Sequence, residues 1–185
     1  MWVVIMVELI IGTIPTYPPI RLLAMPLSTL LWTFGTELLI TDMMRLLRIP
    51  SPFRISSIPK GSVIRPGIYT FIEDVVAVDG SGGTAFRERL NVRYEASHYF
   101  RQMLHRLTLF WGFGAEGAAI LTTALVFTLE GEAAYAVGWS LPGVWAIIWA
   151  LVTYWYVKKD LKMEREKWGL DLEDGQSKRI ETSPY

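Results

Sequence analysis

Two carboxylates occupy positions where a carboxylate is expensive. Glu116 is the one charged residue in the apolar run Leu107 to Phe127, and Glu37 interrupts an earlier run, Leu22 to Leu47. A charge at the centre of a bilayer costs about 2.5 kcal/mol or more, so such a residue is read as functional by default. Facing each other across a helical bundle, the two would share a proton or hold a cation, the chemistry of a small transporter, a proton-handling protein or a membrane-embedded lipid enzyme. Packing is the competing role. Gly112, Gly114, Ala115, Gly117, Ala118 and Ala119 surround Glu116 with small side chains that let helices approach closely. A protonated Glu116 bonded to a Thr or Trp of a neighbouring helix would pin such a contact. This setting favours packing, and the surface from Gly112 to Ala119 would equally seat a second copy or another membrane protein.

Other residues carry weaker signals. His98 and His105 are seven apart, on one helical face but about 10.5 Å apart along the axis, too far to chelate one ion. They read as interfacial histidines rather than separate haem ligands. The turn Asp79-Gly80-Ser81-Gly82-Gly83-Thr84 could cradle a phosphate, yet it lacks both the Lys-Ser/Thr ending of a P-loop and the glycine spacing of a dinucleotide site. A flexible linker capped by Thr84 fits better. Asp79-Gly80 also begins like the Asp-Gly motif of CDP-alcohol phosphotransferases, but the next aspartate is Asp160, so the metal-holding set is missing. No nucleophile stands at motif spacing from a base. The sequence names no catalytic residue, metal site or cofactor.

The elements that must position these residues are membrane spans. The 21 residues from Leu107 to Phe127 reach about 31 Å as a helix, the thickness of a hydrocarbon core. A second run, Ala133 to Val157, holds no charge and stops at Lys158-Lys159. With the acidic turn Leu129-Glu130-Gly131-Glu132 between them, residues 107–157 read as a transmembrane hairpin. Residues 22–40 read as a third span, with Pro26 in its first turn and Arg45 beyond its end. Residues 1–14 are apolar but short, ending at Pro15, and read as a short span, an interfacial helix or a re-entrant segment rather than a signal peptide. Together 1–48 form an N-terminal membrane region. The expected fold is all-α: a polytopic helical membrane protein with three spans and a fourth short apolar segment.

Charge sets the orientation. Ten basic residues lie between Arg45 and Arg106 and seven from Lys158 onward, whereas residues 129–132 hold none. The positive-inside tendency then puts the 49–106 loop and the tail in the cytosol and the acidic turn on the other side. Eighteen basic residues balance eighteen acidic ones, which argues against nucleic acid as a partner. The bilayer is the expected partner. Arg87, Arg89, Arg93, Arg101 and Arg106, with Lys158 and Lys159, would meet anionic headgroups, each worth about 1 kcal/mol at the surface. The absence of cysteine rules out disulfides and leaves the organelle open.

Within 49–106, Pro50, Pro52, Pro59 and Pro66 forbid a continuous helix. From Ile68 the apolar positions Ile68, Phe71, Ile72, Val75 and Val76 favour a short amphipathic helix over a strand. Beyond the glycine turn, Phe86, Leu90, Tyr94, Ser97, Phe100, Met103, Leu104 and Leu107 form one stripe, expected to run straight into the hairpin. The tail, 158–185, reads as a charged helix that Gly169 ends, with disorder from Asp171. Trp111, Trp139 and Tyr154-Trp155-Tyr156 fit an interfacial belt, and Trp145 with Trp149 a packing stripe.

The segment Arg65-Pro66-Gly67-Ile68-Tyr69, then Glu73 to Gly80 and Tyr94-Glu95-Ala96-Ser97, resembles small multi-span membrane proteins of filamentous fungi with no assigned activity. The resemblance spans about residues 49–167. It implies a eukaryotic internal or plasma membrane and transfers no catalytic residue. The functional expectation is a structural or interaction component packed in a membrane complex.

Overall fold

The computed structural model describes residues 2–17 and 19–181. Among them all regular structure is helical apart from two isolated β-bridges. The chain up to Trp149 forms one compact unit and the chain from Ala150 a second.

The first unit is built on a close helix pair. Helix α1, Trp2–Thr13, stops before Pro15. Its 12 residues reach about 18 Å, well short of a bilayer core. A single turn, α2 (Ile20–Leu23), leads into α3 (Pro26–Leu46), where Pro26 sits in the first turn and sacrifices no helical hydrogen bond. After the 47–66 loop come α4 (Gly67–Asp74), a π-helical segment (Val75–Asp79), α5 (Gly83–Ala96) and α6 (His98–Thr128). Helix α7, Gly131–Glu181, follows a two-residue turn and has Pro142 in its interior.

Helices α3 and α6 pack through small side chains, with Leu31, Ala115, Ala118 and Ala119 as the core and Phe34 and Trp145 against it. A Cβ on Gly35 would come within 3.0 Å of both the Gly112 carbonyl and the Glu116 side chain. At the other end Ala24, Val126 and Ala134 bring α6 and the start of α7 onto the residue that ends α2. A Cβ on Gly138 would collide with the Ala24 carbonyl. Trp149 closes the α6 to α7 contact, stacking on Phe110 at 4.9 Å and donating Nε1–H to the Phe110 carbonyl.

Two helical stretches, His98–Thr128 and Gly131–Glu164, are long and apolar enough to cross a membrane. The expected third span is a 21-residue helix, α3, but it falls outside that set. Ser28, Thr29, Thr36, Glu37 and Asp42 lower its apolar character, and several of these bond to neighbours. Ser28 Oγ contacts the Ala119 carbonyl and Thr123 Oγ1, and Thr29 donates to Glu8 on α1 at 2.6 Å.

Two other expectations change. The stripe from Phe86 to Leu107 is present, but Ser97 breaks it into α5 and α6. Its backbone is extended and its hydroxyl accepts the Phe100 N–H, an N-cap that starts a new helix. In the second unit the backbone stays helical past Gly169 to Glu181. One glycine costs a helix only about 1 kcal/mol, too little to stop a charged run of good helix formers. Within that unit Lys158 lies over the Tyr154 ring at 5.8 Å. Residues 182–185 of the expected disordered end lie outside the described residues.

Candidate functional site

The chemistry-bearing residues gather at three places in the first unit. The first is the α3 to α6 crossing. Thr36 donates its hydroxyl hydrogen to Glu116 Oε1 at 2.7 Å, one residue from the Gly35 to Gly112 approach. Glu116 is half-buried. Its bond to a threonine of a neighbouring helix is the geometry that a packing role requires. The small-residue surface around it is filled by the same chain: Gly112, Ala115, Ala118 and Ala119 are buried, Leu39 lies over Gly112 and Trp149 over Gly114, and only Gly117 meets open space.

Glu37 does not join Glu116. It is the next residue after Thr36, roughly 100° further round the helix, and it lines a cavity of about 560 Å³ between α3 and the 52–64 part of the loop.

The second place is a polar cap joining the end of α3 to α4, α5 and the start of α6. Asp42 is buried and accepts from Arg45 Nε at 2.9 Å. His105 Nδ1 stands 3.1 Å from Asp42 and 2.7 Å from Arg45 Nη2. A guanidinium can only donate, so an Nδ1 without a proton accepts from Arg45 there, whereas an Nδ1–H donates to Asp42. Beside this cluster Arg65 donates to Tyr69 Oη and Asn91 Oδ1, and its guanidinium covers both the Tyr69 and Tyr94 rings. Arg101 donates to the Tyr94 and Glu95 carbonyls. Burial pushes the Tyr69 and Tyr94 phenols above their ordinary 10.0, against the opposing pull of Arg65 on the first and of Arg45, Arg65 and Arg101 on the second.

The third place is Glu73, fully buried on α4. Neither carboxylate oxygen has a hydrogen-bond partner, and Arg87 Nε is 3.6 Å away. The expected apolar stripe of α4 is rotated: Ile68, Tyr69, Glu73 and Ala77 are buried, while Phe71 and Val75 are exposed. Ile68 N–H donates to Thr108 of α6, and Gly67 sits against Leu38 of α3, so the helix docks on a partly polar seat.

The arginines expected at headgroups are thus also engaged with protein. Arg87 faces Glu73, Arg89 donates to the Ala85 carbonyl, Arg93 lies over the Phe100 ring, and Arg101 caps α5. Arg106 is exposed on α6, and Lys159 is exposed in the second unit. The two histidines are separated as their spacing requires: His98 is exposed beside Gln102, His105 enters the cap. Among the described residues no cluster of three His, Asp or Glu side chains could hold a metal.

Sequence reasoning passed over Asp42, Arg45 and His105 as a unit, and over Glu73. One signal was present: Asp42 and Arg45 stand at i, i+3 in a last turn. His105 joins them from 63 residues away, which no local pattern records. No curated protein and no solved structure matches the chain. A domain of unknown function, DUF8766, matches residues 1–168, and the chain belongs to that family.

Proposed function

We propose that the chain is an integral membrane protein with a structural or interaction role, inserted through α6 and α7 with α3 packed beside them. The observation that carries this is the inversion of polarity across the bundle. Phe113, Ile120, Leu121, Val144, Ile147 and Ile148 are exposed on the outer faces, whereas Ser28, Thr108, Thr122 and Asp42 are buried. Only 11% of the apolar window of Gly131–Glu164 is buried, and 33% of that of His98–Thr128. A core helix of a soluble protein would be covered far more completely. Glu116, the costly residue, is occupied by Thr36 at a glycine crossing, which supports packing over transport. The basic 49–106 region and the tail face the cytosol in this reading, with Arg106 and Lys159 at the headgroups.

Replacement of Glu116 separates the structural reading from transport. Glu116→Gln keeps an acceptor for Thr36 and should leave thermal stability in mild detergent nearly unchanged; Glu116→Leu should lose about 1–2 kcal/mol. Neither should alter proton or cation leak across reconstituted vesicles relative to empty ones. A leak present with the native chain and abolished by Glu116→Gln would replace the structural reading with a transport one.

A further inference from the structure

The cavity beside Glu37 has a composition that selects a ligand. One wall is a face of α3 from Trp32 to Met44, about 18 Å along the axis. The other wall includes Pro52, Phe53, Ile55 and Ile64 of the loop. The side-chain donors in the lining are already committed. Trp32 Nε1–H goes to Thr123, Thr33 Oγ1–H to the carbonyls of Thr29 and Leu30, Thr36 Oγ1–H to Glu116, and Thr41 Oγ1–H to the Glu37 carbonyl. What remains is acceptor capacity: hydroxyl lone pairs and the Glu37 carboxylate. Among the described residues that carboxylate has no hydrogen bond or ion pair, and it is the only charge in the lining. An apolar groove whose side chains offer one negative charge and otherwise only acceptors complements a cation with several N–H donors and an apolar body. Trp32 lines the same groove. A volume of about 560 Å³ suits one chain.

We propose that this groove binds a single-chain amphiphile with a primary ammonium headgroup, its chain along α3 under the Pro52 to Ile64 loop and its ammonium on Glu37. The site stands whether or not the structural reading above holds, because it rests on the groove alone.

Equilibrium binding of radiolabelled dodecylamine to the full chain in phosphatidylcholine nanodiscs tests it, with empty nanodiscs as background. Saturable binding at one amine per chain is expected, with dodecanol and dodecanoate competing about tenfold more weakly or worse. Glu37→Gln, isosteric and exposed, should weaken binding about tenfold. Ile40→Trp, which fills the groove, should abolish the saturable component. Binding no greater than in empty nanodiscs, equal affinity in Glu37→Gln, or dodecanol competing as well as the amine would each overturn the proposal. So would full competition by phosphatidylethanolamine, which would assign the groove to a two-chain lipid.

Discussion

Glu73 is the residue whose loss of a partner should cost most. Its carboxylate is fully buried and faces the Arg87 guanidinium at 3.6 Å, itself about a third exposed. Removing one member of a buried pair leaves an uncompensated charge. Arg87→Ala should therefore destabilise the folded chain by about 2–4 kcal/mol, and adding Glu73→Gln should restore most of that, measured as unfolding free energy in detergent. If the single and double variants unfold alike, the pair carries no coupling. Tyr69 and Tyr94 act at the other end of the pH scale. Both phenols are raised above 10.0 by burial. The native state therefore keeps its phenolic protons to higher pH than the unfolded chain. Their contribution is complete below about pH 10 and is lost as the pH climbs from there through the folded values. Unfolding free energy should fall above pH 10, and fall less in Tyr69→Phe and Tyr94→Phe.

At the scale of elements, the α3 to α6 pair depends on missing side chains. Gly35 lets α3 approach the Gly112 carbonyl, and Gly138 lets α7 approach the Ala24 carbonyl. Backbone cannot move aside as a side-chain tip can, so Gly138→Ala should cost about 1–3 kcal/mol. Gly117→Ala, which meets open space, should cost nothing and is the control for it in one thermal series. Equal melting of the two variants would mean that the α7 start is not held against Ala24. Helix α3 illustrates why apolar run length is an incomplete guide. Ser28, Thr29 and Thr36 are bonded to Ala119, Thr123, Glu8 and Glu116, so much of its polarity is spent inside the bundle, while Glu37 stays exposed. The break at Ser97 shows a related point: the stripe before and after it keeps one phase, yet a single N-cap hydrogen bond restarts the helix.

For the whole molecule, the proposed orientation makes a direct claim about access. In sealed vesicles, protease added to the cytosolic face should cut near the exposed Gly80 to Gly83 turn and spare the Glu130 to Glu132 turn. The reverse pattern would invert the topology. The same arrangement puts the polar cap of Asp42, Arg45 and His105 at the cytosolic interface, where it ties the ends of α3 and α6 under α4 and α5.

Much of this fold is legible in the sequence because it follows from local rules. Prolines end α1, begin α3 and keep the 47–66 loop from being helical, and long apolar runs make most of α6 and the first half of α7. Glu116 stands out as the costly residue for the same reason: its neighbours in sequence are apolar. Which side chains meet is another matter. That Thr36 rather than Glu37 reaches Glu116, that His105 closes on Asp42, and that α4 turns Tyr69 and Glu73 inward were decided only by the tertiary structure. Each depends on the rotation and register of one helix against another. Helix periodicity places a residue on a face, and only the packed neighbour determines what that face touches.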